Sequence, residues 1–221
     1  MTKPILALAA ALLLAPQDEF DKSKHPWLKW KEGATVEYTM SQEMGEMKNE
    51  GSYTLKLSKV TDKGYTVMTT VDMGGSSNDT EDTQELPVKD GEESVTVGED
   101  KYDCVIWKNK GSRSGEESET RIWLAKDKGL PVKLVTKGKQ GFEVTATKFG
   151  ENVEADGKKY ECVRLEGKME MGQNEAKFTM WYSPEVPGGA VQAKIEFEMG
   201  ENKGTILVTL KKYDAKKANE K

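Results

Sequence analysis

The chain has 221 residues, with 33 basic and 38 acidic side chains, a formal charge of −5 and a single histidine. Neither that balance nor any block of Lys and Arg would neutralise a phosphate backbone, so no nucleic-acid partner is expected; one histidine excludes multi-histidine zinc centres and two-histidine catalytic patterns. At 36% hydrophobic and 32% charged, the chain stands at the polar end of those that build a core, with material for one large β domain or two small ones.

Residues 1–15 open on Met-Thr-Lys and continue as PILALAAALLLA, a positive start before an apolar run too short to cross a bilayer as a mature helix. This is the pattern of a secretory signal peptide, with Ala15 the last residue removed and export to the periplasm or the cell exterior as its consequence. No later run reaches membrane length, so no transmembrane segment is expected in the mature protein. Residues 16–32, PQDEFDKSKHPWLKWKE, form the one segment without β patterning. Trp27 and Trp30 would share a face of a short helix after Pro26, serving as a plug over an open barrel or as a cover on a sheet edge. His25, in this polar stretch, is expected to face solvent.

Residues 33–213 alternate. Ala34, Val36, Tyr38, Met40 and Met44 share one parity, as do Tyr65, Val67, Thr69, Val71 and Met73, then Val163, Leu165, Met169 and Met171, then Val191, Ala193, Ile195, Phe197 and Met199. Gln192, Lys194, Glu196 and Glu198 take the opposite side, so one face is dry and the other wet. Short turn signals such as Asp62-Lys63-Gly64 and Gly138 to Gly141 divide the region into roughly 11 or 12 strands joined mainly as hairpins. The expected fold is all-β, a single curved antiparallel meander. A sheet that large must curl into an incomplete or closed barrel to cover its dry face.

Val95, Tyr102, Cys104, Val105 and Trp123 recur as Val153, Tyr160, Cys162, Val163 and Trp181, which suggests tandem four-strand units over about 33–90, 95–150 and 153–213. The tail, 214–221, is expected to be disordered. Glu-Met-Gly at 43–45 and 170–172, Asp-Met-Gly at 72–74 and Glu-Met-Gly at 198–200 read as strand ends: the methionine is the last core-facing residue and the glycine frees the backbone for a turn.

Almost every acid falls at an outward position or in a turn, where its pKa stays ordinary, and no glycine-rich loop is placed to cradle a phosphate, so catalysis is not expected. If the units are consecutive, Cys104 and Cys162 stand four strands apart, about 19 Å, against the roughly 7 Å that a disulfide allows between Cα atoms; two buried, unpaired thiols follow. Clusters such as Met40, Met44 and Met47, or Met169, Met171 and Met180, raise copper binding as an alternative, but their parity is that of core filler, and neither a metal nor another cofactor is expected. Asn78-Asp79-Thr80 fits a glycosylation sequon that matters only in a eukaryotic secretory pathway.

Tyr102 to Cys104 and Tyr160 to Cys162, followed by Trp123-Leu124-Ala125 through Gly129-Leu130-Pro131-Val132-Lys133 and by Trp181-Tyr182-Ser183 through Pro187-Gly188, resemble exported bacterial β-rich proteins of uncharacterised function, whose meanders are similar to those of the outer-membrane lipoprotein carriers. That resemblance implies a curved sheet around an apolar hollow and carries over no catalytic residue. The function expected is therefore an exported envelope protein that binds an apolar or amphipathic, lipid-like ligand in its concave face. Met44, Met73, Met171 and Met199 are the candidate rim residues, with Phe178, Phe197 and Trp181 nearby. The alternative is an envelope interaction protein with a filled interior.

Overall fold

The structure is a computed structural model that describes residues 20–219 apart from 114, 139–140, 172–173 and 200–201. The expected leader at 1–15 lies outside the described residues, and nothing is described of the Met171 and Met199 side chains. Beyond one short 3-10 turn, Lys22–Lys24, the described chain is built from strands: β1 (Thr35–Met44), β2 (Met47–Val60), β3 (Gly64–Met73), β4 (Ser76–Glu85), β5 (Val88–Val97), β6 (Asp100–Arg113), β7 (Glu116–Ala125), β8 (Pro131–Lys137), β9 (Phe142–Ala155), β10 (Lys158–Met171), β11 (Asn174–Tyr182), β12 (Ala190–Met199) and β13 (Asn202–Asp214).

All but two neighbour pairs in the sheet are consecutive in sequence: β1 pairs with β13, which joins the beginning of the meander to its end, and β4 pairs with β6. The break comes at Leu86-Pro87. Proline has no N–H to give to a ladder, yet β4 and β5 both run antiparallel to β6, with Asp82 opposite Arg113, Gln84 opposite Gly111 and Val88 opposite Lys108. The two are one long strand kinked at a proline. The wall is thus a closed antiparallel barrel, and its thinnest seam is the three-residue ladder between β4 and β6.

Inside and outside follow from register. Tyr38 faces Tyr53 on β2 and Leu210 on β13, and Leu57 faces Val67 on β3, all on the inner surface. Val36, Leu57, Leu165 and Val191 are fully enclosed; each buried aliphatic side chain of this size is worth roughly 1.5–3 kcal/mol. The Tyr38 hydroxyl, buried with its ring, donates to the Ala190 carbonyl at 3.0 Å. Outward positions carry Glu37 and Glu43 on β1, Lys177 on β11, and Lys194 and Glu196 on β12, joined by ion pairs such as Lys194–Glu196 at 2.7 Å. Charges in mid-strand on the outer face cost too much against hydrocarbon for these strands to face lipid, so this wall faces water.

The strands β1, β3, β10 and β12 all end on a methionine, as the recurring Glu-Met-Gly predicts. At the first corner Met44 sits opposite Met47, and Gly45 turns with φ +59°, a left-handed value that a hairpin of this length needs and a side chain resists.

Three expectations fail near the ends of the chain. The tryptophans at 27 and 30 belong to a turn, closed by Trp30 N donating to Trp27 O at 3.0 Å, and not to a helix. His25 is buried, at 6% exposure, because the segment runs across one end of the barrel, tied to β2 and to the β11–β12 connection: Gly33 N donates to Leu57 O and Gly188 N to Pro26 O. The described part of the tail, 214–219, is exposed in its side chains except at Ala215 but is not free in its backbone, since Lys31 N donates to Lys216 O and Ala218 N to Lys29 O.

Cys104 and Cys162 lie on β6 and β10, four strands apart in the sheet, and both are buried and unpaired. Each thiol points back to the carbonyl two residues earlier, at 3.5 and 3.6 Å. Burial pushes the Cys162 thiol up to about 12 and raises that of Cys104, so neither offers thiolate at neutral pH. A maleimide should label both thiols in guanidinium chloride and neither in native buffer over the same time. Prompt labelling of the native protein at either site contradicts this packing.

Candidate functional site

Four connected facts make the site: a floor, a lumen, a polar wall and a mouth. The floor is aromatic. Trp107 on β6 meets Phe20 edge-on with ring centroids 4.7 Å apart, Phe20 meets His25 at 5.5 Å, and His25 meets Tyr65 on β3 at 5.0 Å. Edge-to-face contacts of this kind add to area burial. His25 Nδ1 accepts from both Trp27 N and Leu28 N at 3.1 Å, so its proton is on Nε2 and the ring acts as a cap on the following turn. Burial, followed by the nearby Lys29 charge, holds His25 down to about 3; it is neutral.

Above this floor lies a cavity of about 300 Å³. Leu55, Val67, Ile122, Leu134 and Phe142 give it an apolar wall, and the Tyr53 and Tyr65 rings join them. Opposite is a polar wall. On β4 the inward residues are Asp82 and Gln84, on β6 Asn109 and Arg113, on β7 Thr120 and on β8 Thr136. Gln84 Nε2 donates to Asp82 Oδ1 at 2.5 Å, and Asn109 Nδ2 donates to Gln84 Oε1 at 2.7 Å. Gly111 makes this ladder fit: a Cβ there would come within 2.2 Å of the Gln84 amide, so only glycine lets Gln84 lie across β6.

Burial raises the Asp82 carboxyl above its ordinary value, against the opposing pull of the Gln84 hydrogen bond and the Arg113 charge. Tyr53 is raised likewise by burial, with Arg113 pulling the other way. The mouth, about 420 Å³, shares Asp82, Gln84 and Arg113 with the cavity and adds Glu116 and Glu117.

This site differs from the expected one. The expectation of a uniformly dry inner face fails on β4, β6 and β7, and the expectation that acids lie outward fails at Asp82. Met44 and Met73 are half-buried at the ends of β1 and β3, on the inner parity but at the rim, outside the cavity wall. By backbone register Met171 and Met199 end β10 and β12 at that same rim. Phe178 is buried one layer behind the cavity, with its ring 5.4 Å from that of Phe142, and Phe197 is buried on β12 opposite Gly204. Trp181 belongs to the outer face: it lies opposite Arg164, whose guanidinium is 5.6 Å from the ring.

The lumen residues left no signal because β4 (SSNDTEDTQE) contains no apolar residue; without one, alternation cannot say which parity points in. Among the described residues, no group of three or more His, Cys, Asp or Glu side chains is placed to hold a metal ion. Lys29, held down to about 8 mainly by burial and also by Lys217, donates to the Pro184 carbonyl and ties the floor to the β11–β12 connection. No family model, curated protein or solved structure matches this chain.

Proposed function

We propose that this is an exported, non-enzymatic protein of the periplasm or cell envelope that binds a small apolar or amphipathic ligand in the lumen of its barrel. The observation that carries the reading is the cavity of about 300 Å³ between the aromatic floor and the mouth, at the lower end of the roughly 300–1,000 Å³ typical of ligand sites. Export rests on the leader-like residues 1–15. The non-enzymatic reading is supported by the acids: among the described residues Asp82 is the only carboxyl whose pKa is raised, and it is engaged by the Gln84 amide.

An interaction protein with a filled interior is the second reading, favoured by the half of the inner surface where Val144, Leu165 and Phe178 are packed shut. Native mass spectrometry of the mature protein purified from its own envelope separates the two. A co-purifying small amphipath, lost in a Thr136→Trp variant whose indole fills the lumen, supports binding. Bare protein that also fails to take up an apolar fluorophore supports the filled interior.

A further inference from the structure

Resting on the lumen reading, the polar wall specifies what kind of amphipath enters. Along β6 and β7 the inward residues change in order from the floor to the mouth: Leu124, then Trp107 with Ile122, then Asn109 with Thr120, then Gly111 with Ser118, then Arg113 with Glu116, Trp107 meeting the aromatic floor at Phe20. The lumen therefore has a polarity gradient along its axis. A ligand that matches it puts its chain on the floor and its head at the Asp82, Gln84, Asn109 and Arg113 level.

The volume limits the chain. At roughly 30 Å³ for each water-sized or methylene-sized unit, about 300 Å³ holds a single short chain and excludes a diacyl lipid.

The charges limit the head. Asp82 and Arg113 are direct register partners across the seam, and the Arg113 charge pulls against the rise that burial imposes on the Asp82 carboxyl. An anionic head drawn to Arg113 meets Asp82; a cationic head drawn to Asp82 meets Arg113. Like charge at that range costs about as much as opposite charge gains. An uncharged head with hydroxyl or amide groups uses both: it donates to the Asp82 carboxylate and accepts from the Arg113 and Asn109 N–H groups. The ladder is pre-set for this, since Gln84 is held at both ends and pressed against Gly111, so little ordering is left for binding to impose. We propose that the lumen selects single-chain amphipaths with an uncharged, multiply hydrogen-bonding head, of the chemical class of alkyl glycosides, over fatty-acid anions and alkylammonium cations.

The test uses the full mature chain and four probes with one tail: 1-octanol, octyl β-glucoside below its micellar concentration, octanoate and octylammonium, titrated at neutral pH by calorimetry. Octyl glucoside should bind about ten-fold more tightly than either ion. Asp82→Asn leaves an oxygen for Gln84 but removes the charge opposite Arg113, and should raise octanoate affinity about ten-fold; Arg113→Gln should do the same for octylammonium. Gly111→Ala, if it folds, displaces Gln84 and should weaken octyl glucoside about ten-fold, and more than it weakens octanol. If octanol binds but the ions bind as well as the glucoside, or if Asp82→Asn does not change the octanoate affinity, the head-group selection is overturned and the lumen reading stands. If none of the four binds, the lumen reading itself falls.

Discussion

Acidification from neutrality should destabilise the protein by about 1.4 kcal/mol for each pH unit below about 6.5, the slope of one proton taken up on unfolding. The group responsible is His25. Folded, its pKa is held down from 6.5 to about 3 by burial and by the charge of Lys29; unfolded, it titrates normally. A base depressed in the folded state leaves the unfolded chain holding more protons, so its contribution is complete above pH 6.5 and is lost as pH falls towards 3. Over that window the loss is on the order of 4–5 kcal/mol, a large share of the stability of an ordinary domain.

Protonation does more than add charge, because Nδ1 can no longer accept from Trp27 N and Leu28 N, and the floor loses its turn. Asp82, raised when folded, works in the opposite sense, and comparison with a variant removes it. His25→Asn offers an oxygen to the same two N–H groups without titrating. Denaturant unfolding between pH 7 and pH 4 should show the wild type losing stability relative to His25→Asn, the gap widening as pH falls below about 6.5. Parallel profiles would contradict a buried neutral histidine.

Trp27→Ala should cost about 3–5 kcal/mol, the range for deleting a buried large aromatic side chain, and should open the floor to water. Trp27 is 8% exposed, borders the cavity and lies against Gly188, where a Cβ would come within 2.9 Å of the indole. Gly188 N donating to Pro26 O makes the contact a clasp between the N-terminal segment and the β11–β12 connection. The control is Met47→Ala at the far rim, where the side chain is 57% exposed and the effect should stay within about 0.5 kcal/mol. Equal losses for the two variants would mean that the N-terminal segment does not close the barrel.

The wall was legible wherever strands mix apolar and polar residues. The parity of Val191 to Met199, or of Ala34 to Met44, predicts the inner surface, and the glycines after Met44 and Met73 predict the corners. The site was less legible for two physical reasons. A strand such as β4, polar on both parities, gets its inside and outside only from its neighbours, so Asp82 and Gln84 became lumen residues through register with β3 and β6. His25 looked exposed because Lys22, Lys24 and Lys29 surround it in sequence, whereas in space a 3-10 turn and Pro26 bend it under Tyr65. Softness and aromaticity point to seven residues towards the strand ends, whereas the enclosed volume lies deeper, lined from Tyr53 and Leu55 on β2 to Phe142 on β9.

Methyl-labelled NMR spectra recorded while 1-octanol is titrated into the protein test the lumen most directly. Shifts concentrated at Leu55, Val67, Ile122 and Leu134, with Met47 and the outer face unmoved, are the predicted result. Shifts at the surface methyls alone, or none at saturating probe, would contradict it.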